Sequence, residues 1–211
     1  MEATKSTFIE LRLTDEVINR FADLGYTLES LQEAISKHEW KHDNDSPALY
    51  CGTYGKYNSG SFNGMWVNVS TFDSYEEFEA FCFAIHADED DPELMYQDYE
   101  NMPRSLYHES MGEEGFNKIA EYCELCDDYC VSAVDDFLEF YKPEDLDRMP
   151  YAYVGVYDSR EEFAKEEAIE NFNPDKIMGD FAIYFDYDAY TRDLFINKYR
   201  FGSRGTVFVR F

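Results

Sequence analysis

The sequence predicts an α+β protein, with two small units of β-sheet and helix flanking a helical middle unit and a helical N-terminal segment ahead of them. Three observations carry this reading. Short alternating runs bounded by turn residues, ALYCGTY at 48–54, MWVNVS at 65–70, YAYVGVY at 151–157 and TVFVRF at 206–211, read as strands. Serine and threonine caps stand ahead of helical periodicity between them. Residues 109–147 contain no strand-like run and read as helical up to the stop at Lys142–Pro143. The expected divisions are 1–47, 48–108, 109–150 and 151–211.

Taken in order, Thr14 caps a first helix, and Thr27 or Ser30 (with Glu33 three residues on) caps a second that runs to about His42. The cluster DNDSP at 43–47 breaks the chain. The strand at 48–54 is joined to its hairpin partner at 65–70 by a Gly-, Asn- and Ser-rich turn, KYNSGSFNG. A helix starts at Ser74 and a short one at Pro92. After the helical stretch 109–147, a strand at 151–157 leads to a helix starting at Ser159. A helix near 187–199, a GSRG turn and a final strand close the chain.

A weak internal repeat accompanies this parsing. Tyr50-Cys-Gly-Thr-Tyr54 echoes Tyr153-Val-Gly-Val-Tyr157, and Asp73-Ser-Tyr-Glu-Glu-Phe78 echoes Asp158-Ser-Arg-Glu-Glu-Phe163. In both of the latter, serine can cap the helix while the glutamate three residues on reaches back.

Composition excludes several function classes. Forty-five Asp and Glu against 18 Lys and Arg give the 211 residues a net charge of −27 and an isoelectric point near 4.2. Such a surface repels nucleic-acid phosphates and anionic lipid headgroups alike. Acidic disordered chains are poor in aromatics, whereas Phe, Tyr and Trp make up 18% here. No signal-like or membrane-spanning run is present. Five cysteines, three of them within eight residues (Cys123, Cys126, Cys130), do not form a sensible disulfide framework and fit a reducing, cytoplasmic setting. The charge is partitioned: residues 48–179 hold 31 acids and 8 bases, whereas 180–211 hold 4 acids and 5 bases.

HEWKH at 38–42 has the spacing of a zinc hydrolase, with His38 and His42 as ligands and Glu39 as base. Two histidines at a helix end need no metal to be favourable, and no motif for a third ligand is evident. No phosphate loop, dinucleotide fingerprint, nucleophile elbow or EF-hand loop occurs, so no catalytic residue, metal or cofactor is expected. On a wheel of about 100° per residue, Ile119, Cys123, Cys126, Cys130, Val134, Phe137 and Tyr141 form an apolar stripe, which makes the cysteines core residues. If the helix is continuous, Glu121, Glu124, Asp128, Asp135 and Glu139 form a column on the opposite face. Lys118 and Lys142 are the only bases between Glu114 and Asp145, so repulsion in that column goes uncompensated along the sequence.

A folded body dense in carboxylates resembles the DNA backbone. At one charge per ~1.7 Å of duplex, 31 acids correspond to roughly 53 Å. Such a body suits the basic groove of a DNA-binding enzyme. It would be elongated, with large aromatic side chains supplying an economical core. The candidate partner-binding carboxylates are Asp73, Glu76, Glu77, Asp88, Glu89, Asp90, Asp91, Asp98, Glu100, Glu113, Glu114, Glu121, Glu124, Asp128, Asp135 and Glu139.

Three separated blocks also carry a family likeness: Tyr50-Cys-Gly-Thr-Tyr-Gly-Lys-Tyr-Asn-Ser-Gly-Ser61, Asp88-Glu-Asp-Asp-Pro-Glu-Leu-Met-Tyr-Gln-Asp-Tyr-Glu-Asn-Met-Pro103 and Asp186-Tyr-Asp-Ala-Tyr-Thr-Arg-Asp-Leu194. Over about residues 48–211 the chain resembles the ArdA antirestriction family. The resemblance implies a non-enzymatic, three-part DNA mimic from mobile genetic elements that occupies the DNA groove of the methyltransferase core of type I restriction–modification enzymes. It also implies a homodimer joined through the C-terminal part, near an antirestriction motif at about Phe181–Phe195, and it makes the first 47 residues an addition to the family pattern. The dimer candidates are Phe181, Ile183, Tyr184, Phe185, Tyr187, Tyr190, Asp193 and Phe195, in the near-neutral segment where two acidic bodies can meet. The rival readings are a mimic aimed at another DNA-binding protein and the zinc hydrolase.

Overall fold

The structure is a computed structural model, and it describes Thr27 and residues 45–211 apart from 87 and 88. The caps expected at Thr14 and Ser30, the HEWKH segment and Asp88 lie outside the described residues; Thr27 is exposed. Two compact units divide after Cys123. Among the described residues there are eight α-helices and two three-stranded antiparallel sheets, the α+β class expected. No helix among them is long and apolar enough to cross a membrane.

The first unit is built on β1 (Ala48–Thr53), which is buried along almost its whole length. It pairs with β2 (Met65–Asn68) on one side and β3 (Leu94–Glu100) on the other, giving the order β2-β1-β3. The hairpin is the one expected, but its connection opens with a short helix, α1 (Tyr54–Asn58), capped by the Thr53 hydroxyl, before Gly60 turns the chain at φ +81°. The helix expected from Pro92 is instead β3. Proline followed by acids imitates a helix start, yet Leu94–Glu100 gains a ladder against β1 from Thr53↔Leu94 to Ala48↔Glu100, and that tertiary pairing outweighs the local signal.

Helix α2 (Tyr75–Ile85) starts where expected, with the Ser74 hydroxyl accepting from the Glu77 amide. It buries Phe78 and Phe81 against a core that includes Leu49, Val67, Tyr96, Phe116 and Ile119. Phe78 lies 5.7 Å from the Tyr96 ring and 5.2 Å from Phe116, so aromatic pairs carry much of the packing. His86, fully buried, accepts from Lys56 Nζ through Nδ1 at 2.9 Å and donates through Nε2 to the Cys51 carbonyl at 3.2 Å.

In the second unit, β4 (Tyr153–Val156), β5 (Tyr199–Phe201) and β6 (Thr206–Val209) are ordered β4-β6-β5. β5 has no counterpart in the expected elements: the last helix stops at Asn197 and three residues then pair with β6. A strand that short carries no periodicity to read.

Helix α3 (Glu113–Tyr129), which starts in the first unit, ends in the second. Cys130 then takes φ 74° and ψ 150°, and α4 (Val131–Leu138) follows. The continuous helix implied by the apolar stripe is therefore broken. Ile119, Val134 and Phe137 are buried and Cys123 and Cys126 half-buried, but Cys130 is exposed and is not a core residue.

A one-turn helix, α5 (Met149–Ala152), precedes β4. Helix α6 (Arg160–Asn171) is capped by Ser159, α7 (Pro174–Met178) by Asn173 and α8 (Tyr187–Asn197) by Asp186. Phe163, Ala164, Leu194, Phe195 and Val207 form a core fringed by Tyr157, Tyr190, Tyr199 and Phe201.

The internal repeat extends to the caps but not to the sheet. Ser74 and Ser159 accept from Glu77 and Glu162, and both glutamates accept from the preceding Asp73 and Asp158 amides, at 3.2 and 2.8 Å. The repeated Tyr-x-Gly-x-Tyr strand, however, is central in the first sheet and at the edge in the second.

Asp136 is the one fully buried carboxylate among the described residues. Its oxygens accept from the Arg204 amide at 3.0 Å, the Thr206 amide at 3.0 Å and Arg204 Nη1 at 3.4 Å. The Gly202–Gly205 turn between β5 and β6 is thereby clamped to α4. A Cβ on Gly202 would strike the Asp136 carboxyl group, and Gly205 sits at φ +94°, so both positions require glycine.

Two outcomes follow for stability. Asp136→Ala leaves the Arg204 and Thr206 amides without their buried acceptor and is expected to cost about 3 kcal/mol in urea unfolding; a loss under about 1 kcal/mol would contradict the clamp. Tyr96 is buried with its hydroxyl unpartnered, and burial pushes its phenol well above the usual range. With the folded-state pKa raised, its contribution is intact below about pH 10 and declines above it as the unfolded chain ionises, by about 1.4 kcal/mol per pH unit. Tyr96→Phe is expected to add about 1 kcal/mol at neutral pH and to flatten the alkaline decline; unchanged pH curves would oppose this.

Candidate functional site

The acidic surface is built unit by unit. Residues 48–123 carry 15 acids and 3 bases, and each of those bases is engaged within its own unit. Lys56 lies between His86 and Glu89, the latter at 3.9 Å. Arg104 donates to the Tyr107 carbonyl at 2.7 Å and lies over the Tyr107 ring. Lys118 pairs with Glu121 at 2.7 Å.

Of the sequence-predicted carboxylates, Asp73, Glu76, Asp90, Asp91, Asp98, Glu113, Glu114, Glu124, Asp128 and Glu139 are exposed. Glu77, Glu89, Glu100, Glu121 and Asp135 are half-buried. Several of these have structural duties: Glu77 holds the α2 start, Glu89 accepts from the Thr53 hydroxyl at 2.8 Å, and Glu121 is paired with Lys118. The helix starts place Glu76 and Glu113–Glu114 in first turns, where the backbone N–H groups offset the crowding of negative charge. Sequence reasoning passed over exposed Glu93, Glu109 and Asp127, which stand on the same stretches as the residues it chose.

The expected column from Glu121 to Glu139 does not form as one line, because Cys130 interrupts the helix. Its distal part is also not uncompensated. Arg204 reaches Asp135 at 3.3 Å, Asp136 at 3.4 Å and Glu139 at 3.4 Å, and the Ser203 hydroxyl donates to Glu139. The compensating cation comes from 65 to 69 residues away, where a local count of bases does not look.

The dimer candidates divide in two. Phe181, Ile183 and Tyr184 are 68%, 81% and 75% exposed, on a 3-10 turn directly after α7, and Ile177 on α7 is 68% exposed. Phe185, Tyr187 and Tyr190 are half-buried in a ring cluster with Phe172. Burial raises the Tyr190 phenol pKa, and its hydrogen bond to Glu167 raises it further. Phe195 belongs to the core, 5.6 Å from Phe163, while Asp193 is exposed beside Arg192. Of these candidates only the first three present large apolar surface to solvent.

Among the described residues no three His, Cys, Asp or Glu side chains are placed to hold a metal ion. A cavity of about 330 Å³ beside α8 is lined by Arg160, Arg192, Glu161, Asp188, Thr191, Phe195 and Ile196, a mixture of opposed charges without a histidine or cysteine.

Comparison with known proteins agrees with the residue pattern. Curated proteins give no match. The model of the antirestriction protein family ArdA matches residues 49–208, which include all but the outermost residue at each end of the two sheets, Asp136 and the exposed turn at 179–184. The chain belongs to the ArdA family of antirestriction proteins.

Proposed function

We propose that this chain is a DNA mimic that blocks type I restriction–modification enzymes by occupying the DNA groove of their methyltransferase core, and that it acts by binding, without catalysis. The observation that carries the reading is the imbalance of residues 48–123: exposed carboxylates from Asp73 to Glu114, with the three bases of that stretch each already engaged within it. A fold that wanted only stability would pair such charges on its surface. A surface that keeps them single-signed favours a cationic groove and speeds its encounter with one.

The energy of such recognition is spread over many groups. Neutralising Asp128 alone (Asp128→Asn) is expected to change inhibition only about twofold. Replacing Asp90, Asp91, Glu113 and Glu114 together by their amides is expected to weaken it roughly eight- to thirtyfold, at about 0.3–0.5 kcal/mol per screened contact. A tenfold loss from Asp128→Asn alone would sink the distributed field.

The chain is further proposed to form a homodimer through Phe181, Ile183 and Tyr184. Their exposure and the near-neutral charge of residues 180–211 support it. Ile183→Glu with Tyr184→Glu is expected to give a monomer by sedimentation with unchanged unfolding; a dimer that survives both changes would place the interface elsewhere.

A further inference from the structure

We propose that Cys130 is a strained joint at which α3 and α4 exchange between the bent arrangement and one continuous helix. The backbone of Cys130, φ 74° and ψ 150°, is a conformation essentially reserved for glycine, and holding a side chain there costs about 1–3 kcal/mol.

The hydrogen bonds around the joint are already halfway to a helix. Cys130 N–H donates to the Cys126 carbonyl at 3.0 Å, and the Cys130 carbonyl accepts from the Ala133 and Val134 amides at 3.2 and 3.3 Å. Two of these, 130 to 126 and 134 to 130, are the i to i−4 bonds of an uninterrupted helix. Rotating Cys130 into helical φ and ψ adds the remaining three, from the amides of Val131, Ser132 and Ala133 to the carbonyls of Asp127, Asp128 and Tyr129. In the bent form α4 begins without a side-chain cap.

The sequence is in phase across the break. Ile119, Cys123 and Cys126 before it and Val134 and Phe137 after it share one stripe on a single helical wheel, as a permanent turn would not require. Two contacts hold the bend: the Tyr129 ring packs on Tyr153 at 4.9 Å, and Asp136 ties α4 to the 202–205 turn. These contacts oppose the backbone cost at Cys130 and the three helix bonds absent from the bent form.

In the continuous state Glu124, Asp128, Asp135 and Glu139 line up over about 22 Å. A basic groove would favour that state; this consequence rests on the proposed function, whereas the joint itself does not.

The test is backbone NMR relaxation dispersion and Cα shifts of residues 129–133 in the free, full-length protein, so its outcome is independent of any inhibition assay. Wild type is expected to show exchange at these residues. Cys130→Gly should shift the population toward the bent form at least fivefold, removing the exchange, and Cys130→Ala should raise the helical population about threefold. Thermal unfolding checks that both variants fold. Flat dispersion with identical shifts at 131–133 in all three proteins overturns the joint, as does exchange that Cys130→Gly leaves unchanged.

Discussion

The constraint on which this structure depends is the self-repulsion of 45 carboxylates in a chain with 18 bases. A fold can live with such a field if the carboxylates that must come close to backbone or core are individually neutralised and the rest stand apart in water. That division is visible residue by residue. Asp136 is buried only because two amides and a guanidinium meet it. Glu77 and Glu162 are spent on helix starts, Glu89 on Thr53 and Lys56, and Glu121 on Lys118. Residues 48–123 then have no further base to place opposite Asp90, Asp91, Glu113 or Glu114, and their cohesion comes from rings: Phe78 against Tyr96 and Phe116, and Phe72 against Phe78.

The same constraint explains the layout of the second unit. Its cations are concentrated late in the chain, and Arg204 alone faces Asp135 and Asp136 of α4 and Glu139 at its end. Around it the sheet is closed by Phe163, Phe195 and Val207, which carry no charge to repel. The apolar side chains of the 179–184 turn lie outside that core, so burying them needs another surface.

How much of this was legible in the sequence varied with the range of the interaction. The caps at Ser74 and Ser159 are legible because a hydroxyl and the amide three residues on are local partners. The strands β1, β2, β4 and β6 were visible as alternating runs between turn residues. β3 was mistaken for a helix start because its pairing with β1 lies more than 40 residues away. The break at Cys130 was hidden for a different reason: the sequence around it is helical in phase, and no glycine or proline marks the turn. Among the site residues, the surplus of exposed carboxylates was legible as a count. Which carboxylates face inward was not, since Arg204 reaches both Asp135 and Asp136, and the Arg204 and Thr206 amides that meet Asp136 alone come from the far end of the chain.

The most direct test of the account is a competition titration in which a type I methyltransferase core is bound to labelled DNA and this protein is added at several salt concentrations. The account predicts displacement near stoichiometric amounts at low salt, weakening steeply as salt rises, because an interaction built from exposed charges is screened over about 10 Å at 0.1 M. No displacement at low salt, or displacement indifferent to salt, would contradict it.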